Sequence, residues 1–411
     1  MAESFKPETE AQVVEVVAWA AGEEAPLEIL GRGSKRRLGR PVQASHGLDL
    51  SGLSGITLYE PEELVLSAKA GTPLAEIEAA LAENKQQLAF EPADFGPLLG
   101  SPAGAGTIGG VLACNLAGPR RIKAGAARDH FLGVSAVSGR GEAFKSGGRV
   151  VKNVTGYDLC KLLAGSYGTL AVMTQVTVKV LPAAEKTRTV LLYGLDPARA
   201  VEALAQALNS AHEVSGAAHL PAAAAAGSEV SYVAAPQSSV TAIRVEGTGP
   251  SVAYRTAALR KALAELGETE ELHSHNSAVL WREIRDAQSL LGSADALVWR
   301  LSVPPKEGPV VAGRIGRDGQ AMALYDWGGG LVWLALPSRG DAGHDAGHGA
   351  VRAAVAESGG HATLLRAPEA IRAAVPVFQP QDPAKAALTR RVKESFDPRG
   401  VLNPGRMTAG L

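Results

Sequence analysis

Apolar positions recur at helical spacing almost from the start of the chain. Val13, Val16, Val17 and Ala20 follow Thr9-x-x-Gln12. That pair's hydroxyl and amide can satisfy the first free N–H groups of a helix, so a capped helix is expected there. The short run Leu27-Glu-Ile-Leu30 reads as a strand. Leu64 to Ala70 alternates as a strand, and Pro73 to Leu81 reads as a helix with proline in its first turn, where the missing N–H is harmless. Phe131 to Val137 is a further strand, closed by a hairpin turn at Gly139 and Gly141. Leu170 to Val180 gives the clearest period of two, with Val172, Thr174, Val176, Val178 and Val180 on one face.

Pro182 and the charged Glu185-Lys-Thr-Arg mark a boundary. Beyond it, alanine-rich amphipathic helices (Ala198 to Ala211, Ala253 to Leu266) alternate with short strands (Leu297 to Val303, Leu331 to Leu336). This alternation predicts an α+β domain with a small antiparallel sheet. Ala222 to Ala226 and Gly340 to Gly349 read as loops. From Lys385 the chain reads as a helix running into Phe396-Asp-Pro-Arg-Gly-Val-Leu-Asn-Pro-Gly-Arg406. Two prolines and two glycines fix that backbone, and a rigid terminus docks against something.

Candidate chemistry enters with two glycine-rich loops about 70 residues apart, Gly31-Arg-Gly-Ser-Lys35 and Gly104-Ala-Gly-Thr-Ile-Gly-Gly110. Glycines let backbone amides converge on an anion, and a nest of such amides suits a pyrophosphate. Two loops suggest a large dinucleotide held from both sides. The cluster Arg32, Lys35, Arg36, Arg37 and Arg40 is threaded through the first loop. It reads either as a solvated face or as phosphate-facing charge. Gly104, Gly106 and Gly109 also fit the G-x-G-x-x-G of nicotinamide-binding Rossmann units, with Asp129 about 20 residues on. The context excludes that fold: Pro92, Pro97 and Pro102 precede the loop where a central strand should lie. The apolar run after it stops at Gly118-Pro119, too soon for a crossover helix.

At 411 residues the chain fits two or three domains. A net charge of −1 leaves no global field to attract nucleic acid or anionic lipid. The N-terminal stretch is polar, with no secretory signal, and no run approaches the ~18 apolar residues of a membrane span. Cys114 and Cys160 are the two cysteines, which fits a reduced cytoplasm. Iron–sulfur clusters take about four thiolates, so the chain cannot build one alone.

Together these segments resemble the flavoproteins that share the FAD-binding domain of vanillyl-alcohol oxidase and p-cresol methylhydroxylase, the PCMH type. Gly31 to Lys35, Thr107-Ile-Gly-Gly110, Gly168-Thr-Leu-Ala-Val-Met-Thr174 and Leu402-Asn-Pro-Gly405 match in order and spacing. Arg149-Val-Val-Lys-Asn-Val-Thr-Gly-Tyr-Asp158 with Lys161-Leu-Leu-Ala-Gly-Ser166 is similar to the group acting on D-2-hydroxy acids. Asn115-Leu-Ala-Gly-Pro-Arg-Arg121 with Arg128-Asp129 resembles the smaller FAD-binding subunits of bacterial glycolate oxidases. The resemblance is dense over about the first 180 residues, loose in the middle and good in the tail.

The resemblance implies an α+β fold: a PCMH-type FAD-binding domain of two subdomains at 1–183, an α+β cap at 184–380, and a segment, 381–411, returning to the first domain. It implies FAD against Gly31, Arg32, Gly33, Ser34 and Lys35 and against the loop carrying Ser101, Gly106, Thr107, Ile108, Gly109 and Gly110. Asn115 would approach the flavin end, Val172 would meet the cofactor edge through its backbone, and Asn403 would sit in the returning tail. Gly109 and Gly110 have a second reading as close-packing residues, and Val172 as core. Some relatives attach FAD through a histidine in the first loop; none stands here, so non-covalent FAD is expected. The implied activity is that of the FAD-binding subunit of a glycolate oxidase or dehydrogenase complex, oxidising glycolate and D-lactate. The implied partners are a larger FAD-containing catalytic subunit and an iron–sulfur subunit, in the cytoplasm with at most peripheral membrane association. A self-sufficient FAD oxidase of a small alcohol or hydroxy acid and a scaffold with structural FAD are the alternatives.

Oxidising a 2-hydroxy acid needs a hydride acceptor, a base at the hydroxyl and a cation for the carboxylate. The larger relatives carry a C-terminal motif of His, Gly-Asp-Gly-Asn and a second His, associated with a metal and the substrate. This chain lacks it, so no metal ligand and no catalytic base is assigned. His344 and His348 stand four apart, but Gly343, Gly347 and Gly349 point to a flexible loop rather than a helical ligand pair. His273 and His275 read as surface residues. Arg120, Arg121, Arg128, and Arg282 or Arg285 beside Trp281, are candidate carboxylate clamps, although surface or interface charge is the favoured reading for any one of them. Tyr157, Lys161 and Arg285 form the candidate substrate set, with Tyr157 and Lys161 alternatively bracing their turn.

Overall fold

The computed structural model describes residues 3–149, 156–292, 295–316, 321–338 and 346–411. They divide into two compact units. The first runs to Ala117, resumes over Gly125–Ala183 and is completed by Pro376–Leu411; the second takes Gly118–Ala124 and Ala184–Val375.

In the first unit the expected helix forms at Glu10–Gly22, and the capping box is complete: Thr9 accepts from Gln12 N while the Gln12 side chain accepts from Thr9 N. Such a cap contributes about 1 kcal/mol. The helix buries Val13, Val17 and Ala20 against Leu27, Leu48, Val137, Val172, Val401 and Leu402. This one cluster joins the first helix, two sheets and the tail. The smaller sheet is parallel, in the order Glu3–Phe5, His46–Asp49, Leu27–Leu30. The larger is antiparallel, in the order Ile56–Glu60, Val65–Lys69, Ala171–Lys179, Phe131–Ser138, Ala143–Gly147. Ala171–Lys179 is its central strand and is covered on both faces, which is why Val172, Met173, Val176 and Thr177 are all buried. A register shift between Met173 and Gln175 breaks the single face expected from Val172 to Val180. No strand precedes the second glycine loop; Phe90 to Pro102 forms turns and one short 3-10 segment at Pro97–Leu99.

The second unit corrects the expected small sheet. Eight antiparallel strands pair in the order Thr269–Leu272, Lys186–Tyr193, Val240–Gly247, Gly216–Leu220, Met322–Asp326, Leu331–Leu336, Leu297–Ser302, His361–Arg366. Helices Pro197–Leu208 and Gly249–Leu263 pack onto Val190, Leu192, Ala217, Ile243 and Val245 of this sheet. Gly-Ala-Ala-His-Leu at 216–220 has no alternation to read because every residue in it is buried. The boundary charges belong to a strand, since Lys186 opens Lys186–Tyr193. Ala222–Ala225 is a helical turn rather than a loop, as four alanines after Pro221 favour. Gly340 to His344 of the expected glycine-histidine loop lie outside the described residues. His348, expected in a loop, begins helix His348–Ser358, and its ring packs 6.4 Å from that of Trp299.

Residues 118–124 are held inside this second unit. Arg120 forks onto Glu246 (Nε–Oε2 3.0 Å, Nη2–Oε1 2.8 Å), Trp327 Nε1 donates to Gly118 O at 3.2 Å, and Ile122 joins the core. Burial alone would raise the Glu246 carboxyl, but the charge of Arg244 and the Arg120 fork override it and bring its pKa to about 2. Among the described residues no helix is long and apolar enough to cross a membrane.

His219 lies fully buried in the strand Gly216–Leu220, with Nδ1 2.9 Å from Thr241 Oγ1 and Nε2 without a partner. Burial pushes its pKa down to about 4, against a weaker opposing pull from Asp196. The unfolded chain therefore takes up a proton near pH 6.5 that the folded chain refuses until about pH 4. Stability present above pH 6.5 should fall by about 3 kcal/mol across that window. Four of the five tryptophans, Trp281, Trp299, Trp327 and Trp333, report on this unit. Denaturant unfolding followed by their fluorescence should show the loss between pH 6.5 and 4, and His219→Gln should flatten it. An unchanged pH slope in the variant would exclude His219 as the source.

Candidate cofactor cleft

The strand Leu27–Leu30 delivers the chain into the first glycine loop, which borders an open cleft in the first unit. A Cβ on Gly31 would lie 2.6 Å from Thr107 Oγ1, so only glycine lets the two loops meet here. Beyond that contact the loops differ. Gly31, Arg32, Gly33 and Ser34 have amides with no acceptor among the described residues. In the second loop Ile108 N donates to Thr72 O (3.1 Å), Gly109 N to Ala70 O (2.9 Å) and Gly110 N to Thr107 Oγ1 (3.3 Å). The first loop thus offers four consecutive donors to a ligand, whereas the second has its helix-start amides taken by the protein.

The lining divides into a cationic and an apolar part. Ile29, Leu50, Ala171 and Met173 supply apolar surface. Arg32, Lys35 and Arg406 supply charge. Lys35 Nζ bonds Ser34 Oγ at 3.2 Å, and burial pulls its pKa below the usual lysine range, with Cys114 and Asp94 pulling the other way. Arg406 donates from Nη2 to Lys35 O at 3.1 Å. The Cys114 thiol is pushed up by burial and drawn back by Lys35 and Arg406.

The tail completes the cleft. Asn403 accepts from Ile29 N through Oδ1 (2.8 Å), donates from Nδ2 to Tyr167 O (2.8 Å) and from its backbone N to Leu27 O (3.0 Å). Leu402 pairs beside Leu27 in parallel fashion. Behind it, buried Lys393 donates to Thr169 O (2.7 Å), Leu402 O (3.1 Å) and Asp397, whose carboxylate also accepts from Val401 N and Leu402 N.

Of the residues expected at the cofactor, Gly31, Arg32, Gly33, Ser34, Lys35, Thr107, Gly109, Gly110 and Asn403 line the cleft. Ser101, Gly106, Ile108, Asn115 and Val172 do not. Gly106 backs Lys35 at 3.6 Å from its own missing Cβ, and Ile108 is core. Asn115, in a left-handed conformation, caps the helix Ile108–Cys114 and accepts from Arg128 N. The Val172 side chain belongs to the core cluster, while its neighbours Ala171 and Met173 reach the cleft. None of the expected substrate residues lines the cleft. Tyr157 is 90% exposed, Lys161 is spent on Arg128 O (2.6 Å) and Phe131 O (3.0 Å), and Arg285 forks onto Asp286 in the second unit. Lys161 thus braces its turn. Arg120 is committed to Glu246, and Arg121 lies 4.6 Å over the Trp327 ring.

Most of the other lining residues went unassigned in the sequence, and three of them carry chemistry. Cys114 registered only as one of two cysteines, Tyr167 gave no local signal, and Arg406 closes the rigid Asn-Pro-Gly-Arg turn. The free first-loop amides, the buried cations and the adjacent apolar wall suit FAD, whose diphosphate and isoalloxazine need those two surfaces.

Comparison with known proteins agrees with that fit. A family model described as an FAD binding domain matches residues 3–147, and one described as the C-terminal domain of FAD linked oxidases matches residues 378–407. The chain is 34% identical over 399 residues to the glycolate oxidase subunit GlcE of Escherichia coli (strain K12), covering 97% of each chain. It is 31% identical over 185 residues to a D-lactate dehydrogenase of Archaeoglobus fulgidus, covering 44% of this chain and 40% of that one. Its fold is similar to that of p-cresol methylhydroxylase with substrate bound, at a TM-score of 0.72 and 15% identity, covering 99% of this chain and 88% of the other.

The neighbouring glycines of the second loop should respond differently to substitution. A Cβ on Gly109 would stand 2.7 Å from Ala70 O and 2.8 Å from Ala70 Cβ. Gly109→Ala should therefore lower stability by about 1–3 kcal/mol, seen as a lower melting temperature. Gly110 faces Thr107 Oγ1 and Lys35 Nζ at 3.2 and 3.6 Å. Gly110→Glu should melt near the wild-type temperature but carry little flavin, because its carboxylate would occupy the cationic end. Wild-type flavin absorbance per chain in Gly110→Glu would place the phosphates elsewhere.

Proposed function

The chain belongs to the family of FAD-linked oxidases that includes the glycolate oxidase subunit GlcE, and on that footing we propose that it is the flavin-bearing subunit of a glycolate-oxidising assembly. The observation that carries the reading is coverage: the similarity spans 97% of both chains, so the cleft unit and the second unit fall inside it together. Bound FAD supplies the hydride acceptor for a carbinol carbon. This chain's own part is to hold the diphosphate with the first loop and its cations. Its apolar wall of Ile29, Leu50, Ala171 and Met173 keeps water off the apolar end of the cleft.

The same lining supports a division of labour. Among the described residues that border the cleft there is no carboxylate and no histidine, and the charged side chains there are all cationic. The base that takes the hydroxyl proton then comes from a larger partner flavoprotein. Two cysteines fall short of the about four thiolates a cluster needs, so an iron–sulfur partner takes the electrons onward. A cleft without histidine also fits FAD held without a covalent bond.

Acid precipitation of the yellow protein should leave a colourless pellet and FAD in the supernatant; flavin retained by the pellet would mean a covalent link. The FAD-loaded chain alone should show negligible glycolate:dye reductase activity, with activity appearing on co-expression with a larger flavoprotein and an iron–sulfur protein. Turnover by the single chain at the rate of the assembly would sink the subunit reading and favour a self-sufficient oxidase.

A further inference from the structure

We propose that Lys35 and Arg406 form a paired-cation seat for the diphosphate of FAD, which makes Arg406, from the last residues of the chain, a cofactor-binding residue. The proposal rests on the FAD reading above and adds the two groups that carry its phosphate charge. Lys35 has three ammonium donors and, among the described residues, one hydrogen-bond partner, the neutral Ser34 hydroxyl. Arg406 is 6% exposed and lines the same cleft. Of its guanidinium nitrogens, Nη2 holds Lys35 O, Nη1 lies 3.9 Å from Glu28 Oε1, and Nε is buried without a partner. Glu28 is already forked by Arg36, whose Nε donates to Oε1 at 3.0 Å. Arg36 and Arg406 therefore share Glu28, and Asp94 is the carboxylate that acts on Lys35. Three cations face two carboxylates at this end of the cleft, with most of the donors of Lys35 and Arg406 unspent.

Burying cations in excess of anions is unfavourable unless a further anion completes the site. The second loop cannot relieve this by charge, since the amides of Ile108, Gly109 and Gly110 are consumed by the protein and the rest are neutral. The first-loop amides are unspent but neutral. A dianionic diphosphate satisfies both sets, through charge-assisted bonds from Lys35 and Arg406 and through the amides beside them. The two cations are also joined mechanically: Arg406 grips the Lys35 carbonyl, and its own carbonyl accepts from Arg40 N at 2.9 Å. Closing the tail and positioning Lys35 are thus one event.

The test uses the full-length chain stripped of flavin. FAD affinity is measured by fluorescence titration, alongside the melting temperature of each flavin-free protein. Lys35→Met should weaken FAD binding about tenfold or more while leaving the flavin-free melting temperature unchanged or higher, since it removes a buried charge that Asp94 offsets only in part. Arg406→Gln should weaken binding similarly, and Arg406→Lys should recover part of the loss. Millimolar inorganic pyrophosphate should compete with FAD in the wild type and lose that ability in Lys35→Met. A wild-type chain that binds no FAD would overturn the underlying cofactor reading before any variant is compared. If the wild type binds FAD and Lys35→Met binds it within about twofold, the seat is wrong whatever Arg406→Gln does, including a simple failure to fold.

Discussion

The cleft depends on a buried ion pair that touches no ligand. Lys393 and Asp397 face each other one helical turn apart, and both are almost wholly removed from water. Burial pulls the Lys393 ammonium down, and the carboxylate beside it pulls it back. Such a pair is tolerable because its remaining capacity is filled by Thr169 O, Leu402 O, Val401 N and Leu402 N. These are backbone groups of the tail and of the turn before the central strand, so the ion pair dictates where the tail lies. Gly139 is glycine for the same reason: a Cβ there would collide with Asp397. With the tail fixed, Leu402 and Asn403 extend the edge of the parallel sheet, and the first glycine loop leaves that sheet in one conformation.

What could be read in the sequence was whatever is encoded locally. The capping box at Thr9, the alternation through Val176 and the proline- and glycine-fixed tail each announce themselves within a few residues, and each has its element in the structure. The loops were legible as glycine-rich, but not the difference between them. That difference arises because Ala70 and Thr72, far away in sequence, take the second loop's amides. Arg406 reaches Lys35 across 371 residues of chain, a distance no periodicity can report. Tyr157 and Lys161 looked chemical because of their residue types. One is exposed and the other holds two carbonyls, and type alone does not separate those fates.

The second unit hid its architecture in a different way. Its central strands Gly216–Leu220 and Val240–Gly247 are buried on both faces over most of their length, so they carry continuous apolar or alanine-rich runs that helix and strand share. Its most informative polar residues are paired with one another. Arg244 is buried beneath the Trp281 ring at 4.6 Å, and Glu246 binds Arg120 from the segment that follows the cleft-lining Ala113 and Cys114. Residues 118–124 therefore make the second unit something other than a simple insertion: the chain enters it twice, and one entry is staked by an ion pair screened from solvent.

The bond between Asn403 and Ile29 spans 374 residues, which has a consequence for how the protein folds. The first glycine loop and the helix Glu10–Gly22 can form from neighbouring residues, whereas the wall supplied by Asn403 and Arg406 needs segments far apart in the chain to meet. Closure over so long a separation is entropically slow. A chain with its loops and local helices in place therefore still lacks a shaped cleft, and cofactor capture reports the long-range closure rather than the formation of the loops.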